Sequence, residues 1–381
     1  MYLTEEHEMI RKTVRDFAER EIKPVAKELD EKAEFSIPLT LRMGELGLFG
    51  IRTSVEYGGM DMDTLAYVIA VEELARVDSS QAATLAAHIS LGIGPIMNYG
   101  TEEQKQKYLP MLSTGNATWA FGLTEPDAGS DSRATKSTAR LVDGYWIING
   151  SKIFITNGSS SINKGATVQV VTGNIDGQKE FSTILVDADT PGFKRVCMHG
   201  KMMWRASDTA QLFFEDCRVP ESNLLGARGE GSKIMLDTLD SGRLAIAAMG
   251  LGLAQGAFEM AMTYAKARKQ FGKPIAQFQI NAFKLADMAT KIELARNLLY
   301  KGAWLKSNHQ PFAKEAAMAK LYCSEIAREV ADEAVQLHGG YGLMKDYDIE
   351  RFYRDQRLLQ IGEGTSEIQR LVISRYIGCY E

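Results

Sequence analysis

Glu363 is well placed for acid–base chemistry because a glycine lies on each side of it. Residues 361–369 read IGEGTSEIQ, and small neighbours let a carboxylate approach a substrate with little steric obstruction. A carboxylate in such a position can act as a general base. An acidic residue is also favourable at the start of a helix, for which Thr365 or Ser366 is the natural N-cap. The spacing alone leaves both interpretations open.

Two further loops carry groups that could bind a phosphate-bearing ligand. Residues 121–131 read FGLTEPDAGSD and offer hydroxyls, carboxylates and backbone amides, although the same residue types also form plain turns and helix caps. Residues 268–279 read RKQFGKPIAQFQ, with three cations around a glycine and a proline. Arginine suits bidentate phosphate contact, so this loop could clamp a pyrophosphate. A solvated surface loop is the alternative.

A glycine-rich segment, QLHGGYG, lies at residues 336–342. Its glycines permit close approach of the backbone to a ligand, but they are also typical of a helix C-cap. His338 is a candidate acid or base, yet spacing provides no carboxylate partner, which favours a structural or backbone-contact role. The other histidines are isolated and no HExxH or similar pattern occurs, so no metal site is predicted.

Several common chemistries lack their sequence motifs. No GxGxxG follows a predicted strand, and neither GxxxxGK[ST] nor GxSxG occurs, which excludes a Rossmann site, a P-loop and a hydrolase elbow. Any dinucleotide cofactor must therefore be held by another arrangement, such as loops from separate domains. The formal net charge of −5 provides no general attraction for nucleic acid. The four cysteines are scattered, which fits a reducing compartment rather than a disulfide framework.

Three segments with different periodicities must position these residues. A chain of 381 residues exceeds the size at which a single core usually stops growing. Residues 1–118 show helical periodicity, and residues 228–381 are again helical. Residues 119–227 are short β-branched runs separated by turns predicted at Asp143-Gly144, Asn149-Gly150, Asn157-Gly158 and Asp176-Gly177. The pattern predicts helices at 4–29, 63–77, 81–97, 231–266, 277–306, 313–336 and 366–377, and strands at 146–148, 152–156, 167–171, 183–186 and 211–214.

The N-terminal residues and the apolar runs predict an intracellular protein with no membrane segment. Residues 1–17 carry acidic residues from Glu5 onward and lack the apolar stretch of a secretory signal. The longest apolar run, residues 244–254, is too short to span a bilayer. A bacterial cytoplasm is the favoured location, and a mitochondrial matrix protein without its transit peptide is the alternative.

Six motifs together resemble the acyl-CoA dehydrogenase family, in particular its short-chain or branched-chain members, over essentially the whole chain. They are FGLTEPDAGSD, GSKIFITNG, FEDCRVPESNLLG, ARKQFGKPI, QLHGGYG and IGEGTSEIQ, in the family's order and spacing. The resemblance implies an N-terminal all-α domain at residues 1–118, a central β-barrel at 119–227 and a C-terminal four-helix bundle at 228–381. It also implies dehydrogenation of an acyl-CoA thioester between Cα and Cβ, which gives the trans-2-enoyl-CoA.

The resemblance implies FAD as the cofactor and an acyl-CoA as the substrate. The implied FAD contacts are Phe121, Leu123, Thr124, Gly129, Ser130, Phe154, Ile155, Thr156, Arg268, Phe271, Gln279, Gln336, Leu337, His338, Gly339, Gly340, Thr365, Ser366 and Glu367. The implied substrate contacts are Ser130, Asp240, Arg243 and Gly364. In the family, the contacts that match Arg268, Gln279 and residues 336–340 reach the FAD of a neighbouring subunit, in a homotetramer built as a dimer of dimers. Electron-transferring flavoprotein is the implied electron acceptor.

The family carries its catalytic base at one of two positions. Most members use the glutamate of the EGT motif, which is Glu363 here, and isovaleryl-type members use a residue on the helix of LDSGR, which is Gly242 here. Glycine cannot take a proton, so the resemblance assigns the base to Glu363. It further implies that Glu363 removes the α-proton while FAD N5 accepts the β-hydride. The Glu363 N–H and a flavin ribityl hydroxyl are the implied donors to the enolate oxygen.

Small residues near the implied acyl pocket predict a short or branched acyl chain. Gly362 stands where many relatives have a tyrosine, and Ala86 and Ala87 lie in the helix expected to line the pocket. A flavin oxidase, a monooxygenase or an enoyl-CoA reductase on the same scaffold is an alternative function. A non-catalytic DNA-associated binding protein is an alternative from another class, which the intact EGT motif and the acidic charge balance oppose.

Overall fold

The structure is a computed structural model that describes residues 3–380. Helices, then strands, then helices follow one another along the chain, which confirms the predicted order. The domain boundaries after residues 118 and 227 stay a prediction. The α-helices of the described residues are α1 Glu5–Phe17, α2 Lys23–Lys32, α3 Ile37–Glu45, α4 Thr64–Ala75, α5 Ser79–Ala87, α6 Gly94–Tyr99, α7 Glu102–Leu112, α8 Gly231–Ala267, α9 Gln279–Ser307, α10 Ala313–His338, α11 Ile349–Leu359 and α12 Ser366–Tyr376. The β-strands are β1 Thr118–Gly122, β2 Thr138–Val142, β3 Tyr145–Thr156, β4 Asn163–Ile175, β5 Gln178–Asp187, β6 Phe193–Cys197, β7 Thr209–Pro220, β8 Leu224–Leu225, β9 Lys269–Gln270 and β10 Lys273–Pro274.

Two π-helical turns interrupt helices that the sequence pattern predicts as continuous. Ala18–Ile22 separates α1 from α2, and His88–Ile93 separates α5 from α6. A π-helical turn accommodates an extra residue within a helix and is frequent at functional sites. One extra residue alters the apolar spacing too little for periodicity to reveal the interruption. The second turn contains Leu91, which contacts the candidate active site.

The strands β1 to β8 form one eight-stranded sheet in the middle of the chain. Its strand order is β6-β7-β3-β2-β4-β5-β8, with β1 paired to β4. Two of its hairpins close through Asp143-Gly144 and Asp176-Gly177, and both residues of each pair have positive φ. Turns of this kind match the twist of the flanking strands, as the sequence predicts. The inner face buries a core that includes Trp146, Ile148 and Leu212.

The turn predicted at Asn149-Gly150 is wrong. Tyr145–Thr156 forms a single strand, β3, which pairs with β7 on both sides of a register shift between Ile148 and Gly150. Gly150 has φ +143°, and a Cβ at this position would overlap Ser137. The glycine therefore marks a bulge with a close backbone contact instead of a reversal of the chain.

The C-terminal part contains one α-helix more than the sequence pattern predicts. α11 is short and rich in charged residues, and its buried apolar positions are only Ile349, Phe352 and Leu359. Arg351 of this helix is nevertheless only 3% exposed, and its Nη1 lies 2.7 Å from Oδ2 of the buried Asp78. A buried ion pair therefore supplements the apolar face of α11, which packs against α10 and α8.

α8 is the central element of the helical part because it packs against α4, α9, α10 and α11. Its length and composition would allow it to cross a membrane, but 78% of its most apolar stretch is buried inside the protein. Gly252 lets α8 approach α4, since a Cβ there would overlap the carbonyl oxygen of Glu72. At its N-terminal end, Gly231 packs against Phe181 and Ser182 of β5. α8 thus joins the sheet to the helical core.

Candidate active site

Glu363 lies in the turn between α11 and α12. The turn ends at Thr365, whose Oγ1 accepts a hydrogen bond from the Ile368 N–H at 3.3 Å, so Thr365 is the N-cap of α12. Glu363 has φ +53° and Gly364 has φ +92°. A left-handed backbone conformation is unfavourable for a residue with a side chain, and residues that adopt it cluster at functional sites. This conformation therefore marks Glu363 as a candidate functional residue.

The Glu363 carboxylate packs against Gly242 of α8. A Cβ at Gly242 would overlap Glu363 Oε2, and this oxygen is buried without a hydrogen-bond partner among residues 3–380. Burial raises the pKa of Glu363 to about 7, and the positive charges of Lys320 and Arg243 oppose the rise. A carboxylate with a free oxygen and a pKa near neutrality suits a general base.

Leu91 connects this carboxylate to the segment with the FGLTEPDAGSD motif. The Leu91 Cδ2 atom lies 3.2 Å from the position of a Cβ at Gly242. Leu91 also packs against the apolar cluster of Phe121, Leu123 and Met235. Leu91 therefore contacts both the apolar cluster of the implied flavin edge and the space beside the candidate base. Sequence reasoning missed Leu91, because no motif contains it.

A buried ion pair holds the two implied flavin segments together. Lys152 Nζ lies 2.7 Å from Glu125 Oε1, and the side chains are 0% and 4% exposed. Lys152 also donates to the carbonyl of Leu123 at 3.1 Å, and the N–H of Ile153 donates to the carbonyl of Thr124 at 2.9 Å. Burial lowers the pKa of Lys152 to about 8, against the effect of Glu125. Both partners belong to motifs, but their pairing could not be inferred from spacing.

Phe154 stands in a strained position on the rim of these segments. It has φ +61° and is 65% exposed, beside a register shift in the pairing of β3 with β7. A bulky residue in the left-handed region is an outlier whose strain points to a function. Its neighbour Ile155 is buried in the sheet core and Thr156 is half-buried. The exposed ring could pack on a flat aromatic ligand.

The implied substrate residues Asp240 and Arg243 form an ion pair on α8, next to Gly242. Arg243 is 5% exposed and its Nε has no hydrogen-bond partner among the described residues. Burial raises the pKa of Asp240. Burial also lowers the pKa of Lys306 to about 7, with Arg52 and Asp240 as its charged neighbours. Sequence reasoning missed Lys306 and Arg52, which lie outside every motif.

The remaining implied FAD residues gather at the far end of α8. Arg268 follows its last residue, and with Gly339 and Gly340 it lines a cavity of about 440 Å³. Phe271 is 94% exposed. His338 is buried, its Nδ1 lies 2.7 Å from the Ala334 carbonyl oxygen, and its ring stacks on Tyr264, which fits a structural role. The other members are Gln279 and Gln336, which are exposed, and Leu337, which is buried.

These two groups of residues are well separated within one chain. Gly242 lies on α8, and Arg268 directly follows the last residue of this helix. At a rise of 1.5 Å per residue, the helix separates the two by roughly 39 Å. That distance exceeds the length of an extended FAD. A larger cavity of about 720 Å³ adjoins the second group and is not lined by Glu363. Among residues 3–380, no group of three or more His, Cys, Asp or Glu side chains is arranged to hold a metal.

Three family models match nearly the whole chain in sequence order. The N-terminal domain of acyl-CoA dehydrogenase matches residues 4–116, the middle domain residues 120–217 and the C-terminal domain residues 229–378. The chain belongs to the acyl-CoA dehydrogenase family. The resemblance inferred from the six motifs is therefore confirmed, as is the three-part fold of this family.

Individual members of the family are similar over their full length. The short-chain specific acyl-CoA dehydrogenase of Clostridium acetobutylicum is 47% identical over 98% of both chains. The NADH-dependent acryloyl-CoA reductase of Anaerotignum propionicum is 45% identical over 98% of this chain and 95% of its own. Among solved structures, butyryl-CoA dehydrogenase of Megasphaera elsdenii has a TM-score of 0.96 at 41% identity over 99% of both chains. A chain from a structure of the electron transferring flavoprotein of Acidaminococcus fermentans has a TM-score of 0.96 at 46% identity over 99% of both chains.

Proposed function

We propose that this acyl-CoA dehydrogenase oxidises a short acyl-CoA to the trans-2-enoyl-CoA with FAD as cofactor and Glu363 as base. The observation that carries the proposal is the Oε2 atom of Glu363, which is buried against Gly242 and has no hydrogen-bond partner among residues 3–380. The short-chain specific enzyme of Clostridium and the butyryl-CoA dehydrogenase of Megasphaera support a short acyl chain.

Glu363 is the residue that takes the α-proton. Burial keeps its pKa near 7, so the carboxylate is a stronger base than an exposed one. Proton transfer neutralises the buried charge, and this lowers the cost of burial as the reaction proceeds. FAD, when bound, accepts the hydride equivalent from Cβ. The Glu363 N–H donates to no acceptor among residues 3–380, so it is available to the thioester oxygen, where negative charge develops.

The residues that would hold the flavin fit such a ligand. Phe154 offers an exposed aromatic ring, and Gly129 has no atom within 4 Å of the position of a Cβ. The Oγ of Ser366 is buried and has no partner within the described chain, so a ligand can supply its hydrogen bond. We assign the ring and ribityl contacts to residues 121–130, 154–156 and 365–367.

We propose a homotetramer in which Arg268 and its neighbours reach the FAD of another subunit. The separation of roughly 39 Å along α8 supports this assignment, because one FAD cannot contact both groups of one chain. Measurement of the oligomeric state in solution, with and without FAD, tests this proposal. The holoprotein should be tetrameric, and Arg268→Ala should lose FAD without losing the fold. A monomer that retains FAD would contradict the shared site.

The acyl pocket is proposed to accept short straight or branched chains. Ala86 is buried and Ala87 half-buried, beside the π-helical turn that contains Leu91. A side chain on Gly362 would start beside Leu358, whose Cγ lies 3.6 Å from the position of its Cβ. Gly362→Tyr should therefore narrow the pocket mouth and reduce turnover of branched substrates more than of butyryl-CoA. Turnover of long chains alone would contradict the short-chain assignment.

A reductase is the second candidate function, because one close relative is an NADH-dependent acryloyl-CoA reductase. The same base position can deliver a proton to Cα in the reverse reaction. NADH oxidation that depends on an enoyl-CoA would favour this direction.

Electron-transferring flavoprotein is the proposed acceptor in the oxidative direction, and the similarity to the chain from the Acidaminococcus structure supports it.

The decisive experiment is an anaerobic titration with acyl-CoAs of different length and branching, followed through the visible flavin spectrum. Bleaching by a short acyl-CoA is expected. Rapid oxygen consumption during turnover would indicate an oxidase instead, and a protein that cannot be loaded with FAD would contradict the proposal. A bacterial cytoplasm is the proposed location, in line with the bacterial relatives.

A further inference from the structure

The conformation of the turn around Glu363 requires support from outside the turn. Glu363 at φ +53° and Gly364 at φ +92° are two successive left-handed residues, and for a residue with a side chain this conformation persists only where the surroundings hold it. Without such support the backbone would relax, and the carboxylate would move away from Gly242.

Two buried side chains bind the carbonyl oxygens of this turn. Lys320 Nζ of α10 donates to the Gly364 carbonyl at 2.6 Å. Gln369 Nε2 of α12 donates to the Gly364 carbonyl at 2.9 Å and to the Glu363 carbonyl at 3.2 Å. Both side chains belong to residues that are 0% exposed. Three hydrogen bonds from two helices therefore converge on two consecutive carbonyl groups.

The burial of Lys320 is costly, which argues for a specific role. A buried cation is unfavourable unless it is paired and hydrogen-bonded. Among residues 3–380, Lys320 takes part in no salt bridge, and its Nζ donates a hydrogen bond to the backbone carbonyl of Gly364. The charge is nevertheless felt at Glu363, whose pKa it lowers together with Arg243.

We propose that Lys320 and Gln369 are positioning residues that hold the turn of Glu363 and Gly364, and with it the Glu363 carboxylate, beside Gly242. The proposal rests on the proposed function of Glu363. Both residues act through the backbone of the turn, so they affect the placement of the base without contacting the reacting atoms. Lys320 adds a positive charge near the base, whereas Gln369 contributes hydrogen bonds alone.

This difference provides a test that a purely structural role would not pass. Lys320→Met and Gln369→Leu should each lower kcat per bound flavin by roughly 10- to 100-fold, because small displacements of a catalytic group are costly. The KM for butyryl-CoA and the FAD content should change little. Ser324→Ala, which removes a buried hydroxyl from the same helix as Lys320, is the matched control and should leave kcat unchanged.

The pH profile separates the two variants. The charged or titratable groups that face Glu363 are Lys320 from α10, Arg243 from α8 and Tyr67 from α4. Lys320→Met should shift the acidic limb of kcat/KM to higher pH, since a charge that lowers the pKa of the base is removed. Gln369→Leu should leave that limb in place, and Lys320→Arg should restore its position.

Turnover of the wild type and loss of turnover in Glu363→Gln establish the proposed function first. Normal kcat per flavin in both positioning variants would then overturn the positioning role and leave the proposed function of Glu363 standing. A loss confined to FAD content or to thermal stability overturns it as well. If Lys320→Met does not yield folded holoprotein, Gln369→Leu decides: reduced kcat with an unmoved acidic limb supports the proposal, and wild-type kcat overturns it.

Discussion

The Glu363 carboxylate and Gly242 of α8 are in direct contact, although 121 positions separate them in the chain. The family resemblance gives these two positions as the alternative places of the catalytic base. Their contact fits this alternation, because a carboxylate from either position would enter the same volume. Glycine at residue 242 is what leaves room for the side chain from residue 363.

Glu363→Gln should abolish most of the turnover while the protein keeps FAD. Glutamine has nearly the same shape but cannot take a proton, and a positioned base contributes on the order of 10²- to 10⁴-fold to the rate. Stopped-flow measurement of flavin bleaching by butyryl-CoA checks this. Asp332→Asn, a change at an exposed position of α10, is the control. A loss of less than about tenfold in Glu363→Gln would contradict its role as base.

The same variant should also alter the pH dependence of stability. Burial raises the pKa of Glu363 from its ordinary value of 4.5 to about 7, so the folded state binds this proton more tightly than the unfolded state. Stability of the wild type should therefore fall as the pH rises through that window. Glu363→Gln lacks this loss. Its effect on the free energy of unfolding should therefore be more favourable at pH 8 than at low pH, by up to about 3 kcal/mol. Thermal unfolding of holoprotein at pH 5 and pH 8 measures the difference, and equal effects at both values would contradict the raised pKa.

The base can be moved from one partner of the contact to the other. Glu363→Gly should be inactive, and adding Gly242→Glu should recover activity by at least roughly tenfold, because the new carboxylate occupies the vacated space. Gly242→Glu alone should be poorly active, since two carboxylates would overlap there. Anaerobic bleaching by butyryl-CoA and by isovaleryl-CoA measures the recovery. No recovery in a folded, FAD-loaded double variant would contradict the shared volume.

Breaking the Lys152–Glu125 pair should destabilise the protein and weaken FAD binding. Lys152→Met leaves a buried carboxylate without its partner, a change that costs about 3–5 kcal/mol. The double variant with Glu125→Gln should recover part of the loss. Lys136→Met, which breaks the exposed pair with Asp127, should have no measurable effect. Thermal unfolding and FAD titration check both outcomes; equal effects of the two lysine variants would contradict the prediction.

Phe154→Gly should strengthen the fold and weaken the flavin site at the same time. Glycine tolerates φ +61° without strain, whereas a phenylalanine there costs about 1–3 kcal/mol. The apoprotein should therefore melt at a higher temperature, while FAD should bind less tightly for lack of the exposed ring. Calorimetry of the apoprotein and fluorescence titration with FAD measure the two effects. If Phe154→Gly binds FAD as tightly as the wild type, the assignment of Phe154 to the flavin site is contradicted.

Local patterns were sufficient for much of the fold. Asp143-Gly144 and Asp176-Gly177 have the residue types that a tight hairpin requires, and both turns form as predicted. Asn149-Gly150 has the same appearance but lies within β3, because the contact of Gly150 with Ser137 and the pairing with β7 outweigh local turn preference.

The family, the order of helices and strands, and Glu363 as the candidate base could all be predicted from the amino-acid sequence, because each depends on residue types at fixed local spacing. The residues that surround that base could be identified only in the folded protein. Gly242, Leu91, Lys320 and Gln369 come from three helices and one π-helical turn, and their convergence depends on how those elements pack. Packing joins positions that are far apart in the chain, and no local spacing encodes such distances.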